Sequence, residues 1–393
     1  MQTRDRRTIA ESAAAKFAAT PPDRLSAINA VVGFDGFIDS IIRVVDRRHS
    51  MQPDDFLPVT TITGFADRCA AAAGKSTNLE MHVVERRFGG NGPLLASAMA
   101  SLGASVTYIG AVGRGDSPTN LHPIYQPLAD RCAAVYPVAA AAKTDALEFD
   151  DGKLMLGKTE SVQAVCWELL KDIVGLDQLR SIFERASTIG IVNWVMLQGV
   201  EGIWRGLIDE VLPTLSGETP RKMFVDLCDP AKRTDEDVRR AAGFLTELNA
   251  HVNLTLGLNQ SEAERMGRVL GVDIYEGPGN QSLGSAMQHA AASIRESLGI
   301  ACCVVHPREG AAAADANGSA WFEGPFTVKP KISTGAGDHF NGGFALAQDL
   351  GLGLDECLAV GCALSGAYVR DAASPARERL IEFLRDLPRS QAS

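Results

Sequence analysis

Short apolar, largely β-branched runs recur along the chain and alternate with stretches of helical period. The strand-like runs are AVVGF (30–34), SVTYIGAV (105–112), TIGIVNWV (188–195), KMFVDLC (222–228), HVNLTLGL (251–258) and IACCVVH (300–306). Between most of them lie helical segments with charged faces, such as EGIWRGLIDEVLPTL and GSAMQHAAASIRESLG. Strands that are apolar throughout, each followed by a helix, predict a mostly parallel α/β sheet covered on both faces.

Three segments break this rhythm. DALEFDDGKLMLG (145–157) and AAAADANGSAWFEG (311–324) carry Asp151-Gly152 and Asn317-Gly318, the turn chemistry of β-hairpins. Residues 46–88 form an irregular insertion whose end, NLEMHVVERRF, reads as another strand. Together with AVYPVAAAA (134–142), the first hairpin and the insertion are expected to build a small separate sheet standing off the main body as a lid. Residues 1–29 read as an N-terminal helical extension, with one domain over 30–393 and a lid drawn from parts of 40–90 and 134–160.

A length of 393 residues with 46 % hydrophobic and 22 % charged residues supports a sizeable core. The net charge of −10 argues against nucleic-acid partners, so an anionic ligand must be held by local features. No apolar run is long enough to cross a membrane, and the N-terminus lacks a signal-peptide core. The eight cysteines show no metal-binding spacing and read as free thiols of a cytoplasmic protein.

KISTGAGDHFNGGF (331–344) carries the most chemistry. Phe340, Gly343, Phe344 and Ala347 follow helical spacing, so a helix starts near 336 and its first N–H groups lack partners. The amides of Gly335, Ala336 and Gly337 then offer an anion hole that side chains do not obstruct. Asp338 beside such a hole suits a base that deprotonates a hydroxyl attacking phosphorus. Its alternative is plain complementation of the helix dipole.

Three further clusters each have a chemical and a structural reading. Gly89-Gly90-Asn91 permits close approach to a small polar ligand, or is an ordinary glycine-rich loop entering a helix. Asp35 and Asp39 follow the first strand, where carboxylates accept bonds from sugar hydroxyls, or sit in a solvated turn. Asn259 and Glu262 suit a hydrated Mg²⁺ beside a polyphosphate, or a helix-capping pair. Asp226, Asp229 and Arg233 either help to place metal or phosphates or form a loop ion pair, and the ion pair is the expectation.

Taken together, STGAGDHFNGGF, GGNGPLLASAMASLG and LNQSE resemble the signature motifs of the ribokinase-like (PfkB) carbohydrate kinases, in order and spacing, over residues 30 to 385. The resemblance implies a three-layer α/β/α ribokinase-like fold with a small β-sheet lid. It also implies Mg²⁺-dependent transfer of the terminal phosphoryl group of ATP to a hydroxymethyl group of a sugar. By position it makes Asp338 the base and Gly335, Ala336 and Gly337 the anion hole. Asp39 matches the acid that binds sugar hydroxyls, with Asp35 as an extra acid and Gly89, Gly90 and Asn91 also on the sugar. Asn259 and Glu262 fall on the Mg²⁺–nucleotide side, Glu262 as the metal residue, and Thr334 and Asn341 are grouped with the nucleotide.

The chain departs from the pattern in two places. Ile332-Ser333 stands where the signature has Asp-Thr, removing an acid tied to a monovalent-cation site in some members. VHPREG replaces T-x-G-x-x-G, keeping Gly310 and bringing His306 and Arg308 toward the nucleotide phosphates. Two other readings stay open: a nucleoside kinase using Phe34, Phe37 or Trp194 against a base, and a catalytically silent sugar-binding protein. Lid-mediated homodimers, common in the family, are a further expectation.

Overall fold

A computed structural model describes residues 5–217, 220–275 and 282–391. In chain order the strands are β1 (Asn29–Phe34), β2 (Phe37–Arg48), β3 (Phe56–Pro58), β4 (Met81–Gly89), β5 (Ser105–Gly110), β6 (Ala134–Pro137), β7 (Ala142–Phe149), β8 (Gly152–Lys158), β9 (Thr188–Val192), β10 (Lys222–Asp226), β11 (Asn253–Leu258), β12 (Cys302–Val305), β13 (Gly310–Asp315) and β14 (Gly318–Glu323). Nine of them form one sheet in the order β14-β13-β12-β11-β10-β9-β1-β5-β6. From β12 to β6 every pair is parallel, and the β13–β14 hairpin closes one edge antiparallel.

The apolar runs become central strands because helices cover both faces. Alternate residues of β1 face two different cores: Val31 packs with Ile189, Phe183 and Ile203, while Ala30 and Val32 pack with Leu95, Phe344 and Leu358. The second core also takes in the N-terminal helix Arg6–Ala19 through Ile9 and Phe17. These two cores make the molecule a three-layer α/β fold.

The small sheet is β3-β2-β7-β8, with β4 on the other edge of β2. Its own core is modest: Ile42, Val44, Val59 and Leu147, with Phe65, Phe149 and Leu154 against them. Two sequence expectations need correction here. Ala134–Pro137 does not join the lid but pairs with β5 at the edge of the large sheet. The long lid strand β2, absent from the strand-like runs, begins only two residues after β1; its mix of Asp, Ser and Arg hides its period.

The chain leaves β1 for β5 and β6 on one side, then returns to β9 and runs outward on the other. Strand order therefore reverses between β1 and β9, which opens a crevice at their carboxyl ends. Asp35, Asn193, Asn259 and His306 each directly follow one of these parallel strands, and Asp226 ends another. Among the described residues no helix is long and apolar enough to cross a membrane, and all eight cysteines are free.

Candidate active site

Two helix N-termini meet over the crevice. One helix, Ala336–Asp349, starts at Gly335, whose φ of 90° is left-handed. A Cβ at Gly335 would also come 2.9 Å from Leu94 Cδ1 and from the Tyr368 hydroxyl, so glycine is required by conformation and space. Gly337 differs: a Cβ there would meet only His306 Cε1, at an ordinary 3.7 Å. The fold alone does not need glycine at 337, and its bare amide leaves room for an incoming anion.

The other helix, Asn91–Ser101, begins after Gly90, whose φ of 100° turns the chain out of β4. The two helices pack tightly, with Gly342 against Ala98. This contact brings Asn91 Nδ2 to 2.9 Å from Asp338 Oδ1, joining residues 247 apart in the chain. Asp338 is buried, and its carboxyl is raised well above the usual range, first by burial and then by the nearby Asp226 carboxylate. A desolvated carboxyl with one fixed donor is suited to accept a proton near neutral pH.

Asp35 and Asp39 have different surroundings. Asp35 is fully buried and accepts bonds from Asn91 N (2.9 Å), Gly92 N (2.8 Å) and Asn193 Nδ2 (2.6 Å). Its carboxyl is pushed up to about 6 by burial, against those donors. Asp35 thus holds the start of the Asn91 helix and ties β1 to β9, and its contacts are with protein donors. Asp39 lies on the lid strand β2 opposite Arg87 and Thr144, and burial raises its carboxyl against the opposing effects of Thr144 and Arg87. A Cβ on Gly89 would come 2.3 Å from Asp39 Oδ2, so this glycine makes the space that the carboxylate occupies.

On the other side of Asp338 opens a cleft of about 580 Å³, lined among others by Asn259, His306, Arg308, Gly310, Phe326 and Val369, with Ala336 and Gly337 at one end. Asn259 and Glu262 do form a capping box on the helix Gln260–Leu270, with Asn259 Nδ2 2.6 Å from Glu262 Oε1. The acid is nevertheless only 5 % exposed, and burial together with Asp226 pushes its carboxyl up to about 8. The capping pair is therefore formed, and its acid is buried as well. His306 lies against Phe340, with ring centroids 4.9 Å apart, and its buried Nε2 has no partner. Thr334 receives the Tyr368 hydroxyl on its carbonyl at 2.9 Å. Asn341 does not line the cleft; it lies beneath, donating from Nδ2 to Asp226 Oδ2 at 2.6 Å.

The expected ion pair of the 226–233 loop is not formed. Asp226 is buried and bonded to Asn341 and to Cys228 N, while Arg233 lies over the Trp194 ring, 4.7 Å from its centroid. Asn193 is a residue of the crevice that local reading missed, since it is marked only by its position after a strand. Lys153 is another: its Nζ reaches from the lid hairpin to Ser333 Oγ at 3.0 Å and to Thr334 Oγ1.

Comparison with known proteins matches nearly the whole chain. The family model of prokaryotic ketohexokinase matches residues 5–387. A ketohexokinase from Haloferax volcanii is 30 % identical over 387 residues, covering 98 % of this chain and 97 % of the relative. A mutant phosphofructokinase-2 from Escherichia coli superposes with a TM-score of 0.61 at 17 % identity, over 91 % of this chain and 98 % of that one. Ribokinase from Arabidopsis thaliana, complexed with ribose and ATP, gives 0.59 at 15 %, over 91 % and 98 %. Both superpositions extend over nine-tenths of this chain, so these two structures share its overall fold. Matched by the family model over nearly its whole length and by a relative 30 % identical to it, this chain belongs to the prokaryotic ketohexokinase family and is a carbohydrate kinase.

Proposed function

We propose that the chain transfers the terminal phosphoryl group of ATP to a hydroxymethyl group of a neutral ketohexose. The observation that carries this reading is the 2.9 Å bond from Asn91 Nδ2 to Asp338 Oδ1, which places the sugar-side loop against the base. In the crevice Asp39 accepts bonds from sugar hydroxyls, and Asn91 contacts the sugar while orienting Asp338. Asp338 takes the proton of the attacking hydroxyl as its oxygen bonds to phosphorus and the bond to the departing ADP oxygen breaks. The amides of Gly335, Ala336 and Gly337 face the charge on the transferred group.

The nucleotide fits the cleft beyond Gly337, its base against Phe326 and Val369 and its phosphates toward His306, Arg308 and Asn259. The orphan Nε2 of His306 gains a partner when a phosphate oxygen arrives. Mg²⁺ fits the acids that remain. Asp226 lies close enough to the buried Glu262 to raise that acid's cost of ionisation, and a divalent ion relieves that cost. Mg²⁺ beside a polyphosphate is held by one or two carboxylates and by the phosphates themselves, so this pair of acids suffices. When bound, Mg²⁺ supplies charge neutralisation on the polyphosphate.

The nucleoside-kinase alternative loses its support. Phe34, Phe37 and Trp194 are all buried in the core, and none is free to stack on a base. The test is ADP release with a panel of ketohexoses, aldohexoses, ribose and nucleosides. Turnover with ketohexoses is expected to exceed all others; saturable sugar binding without any ADP release returns the reading to a silent binding protein.

A further inference from the structure

We propose that Lys153 is a catalytic residue delivered by the lid, its ammonium meeting the phosphoryl group as it passes from nucleotide to sugar. This rests on the kinase reading above. The lid's register carries the argument. Asp39 is paired with Arg87 on β4 and with Thr144 on β7, so these three side chains stand in one row on one face. Counting along β7 in steps of two leads to Glu148, whose strand partner on β8 is Lys153. Lys153 therefore shares the face of Asp39, the face turned toward the site.

Its cross-strand neighbour would make an easy ion pair, yet among the described residues Lys153 pairs with no carboxylate. Its Nζ instead spans to Ser333 and Thr334, the two residues that lead into the anion hole. The neighbouring Arg87 also has no ion-pair partner among the described residues. Lys153 and Arg87 thus share this face with the carboxylates of Asp39 and Glu148, and Lys153 is the one whose charge reaches the residues before the anion hole. A cation held by hydroxyls instead of a carboxylate on a half-buried face can take an anion, and the anion that arrives between Asp39 and residues 335–337 is the transferring phosphoryl group. Hydroxyl partners are easily exchanged for phosphate oxygens, since two neutral acceptors give way to a charged one. Lys153 keeps its proton throughout, the proton of the sugar hydroxyl going to Asp338.

Because the lysine sits on the lid, its charge arrives only when the lid covers the sugar. That couples sugar binding to transfer and leaves water, which does not hold the lid closed, a poor acceptor.

The test measures turnover, ketose affinity and thermal midpoint for K153M, K153Q and K153R. K153M and K153Q are expected to lose about 100-fold or more in kcat, with ketose affinity within about threefold of wild type, and K153R to recover part of the loss. Binding of ADP with fluoroaluminate in the presence of ketose should weaken in parallel with kcat, while ADP alone binds as before. A saturated kcat within about threefold of wild type in K153M or K153Q overturns the assignment. So does a loss of ketose and ADP affinity together with a lowered midpoint, which marks a latch that only holds the lid. Absence of wild-type turnover on every sugar removes the kinase reading itself, and this assignment with it.

Discussion

Replacing Asp338 by Asn tests the site at its centre. The substitution keeps shape and keeps an acceptor for Asn91 Nδ2 at the 2.9 Å position, but removes the ability to take a proton. A positioned general base contributes about 10²–10⁴ in rate, which corresponds to about 3–5 kcal/mol of barrier. The kcat of D338N, read as ADP release at saturating ketose and ATP, should fall within that range. Ketose affinity by calorimetry should move less than about threefold, because the interaction lost belongs to the transition state. Stability should move the other way. In the folded protein Asp338 titrates above its unfolded value, so the wild type loses stability as pH rises from the unfolded pKa of about 4 to the raised folded one, and regains none beyond it. Asn escapes this loss. The midpoint of D338N should therefore match or exceed that of wild type at pH 8, with the advantage shrinking as pH falls toward about 4. A variant that kept kcat within about tenfold of wild type, or that lost activity only because it melted early, would refute the role assigned to this carboxylate.

Gly337→Ala should leave the midpoint almost unchanged, since its methyl meets only His306 Cε1 at 3.7 Å, but should cost about 100-fold in kcat by filling the anion's approach; normal turnover would sink the anion hole. Gly89→Ala forces a methyl to 2.3 Å from Asp39 Oδ2, so the ketose KM should rise at least about tenfold with a smaller change in kcat, as seen in initial-rate kinetics. The acid limb of kcat/KM should lie above the ordinary carboxylate pKa of about 4, because the raised Asp338 must be ionised to act; Asn91→Asp, which sets a second carboxylate at 2.9 Å, should move that limb to still higher pH. Chelation of divalent ions should abolish turnover and Mg²⁺ restore it, whereas ketose binding measured by calorimetry should persist through both.

Much of the fold was legible because it rests on local rules. Both-face burial demands continuous apolar strands, so β1, β5, β9, β10, β11 and β12 stand out in the sequence. The helix start at Ala336 is dictated by Gly335 at its left-handed φ of 90°. The hairpin β7–β8 follows from its Asp-Gly turn. The lid strand β2 and the edge strand β6 were harder, since a strand with few apolar neighbours carries little period.

The same limit holds at the site. Asp338, Gly335 to Gly337, Asn91 and Asn259 with Glu262 were visible as motifs because their chemistry is concentrated in a few adjacent residues. Asn193 and Lys153 were not, each being a single polar residue in an unremarkable local setting, and Asp226 stood between a metal or phosphate role and a loop ion pair. Their meaning comes from neighbours distant in the chain: Asn341 for Asp226, Asp35 for Asn193, and Ser333 with Thr334 for Lys153. Periodicity and backbone chemistry act over a few residues and can be read in one dimension. Which carboxylates share a crevice, and how burial then shifts them, depends on the path of the whole chain, and only the packed layers decide that.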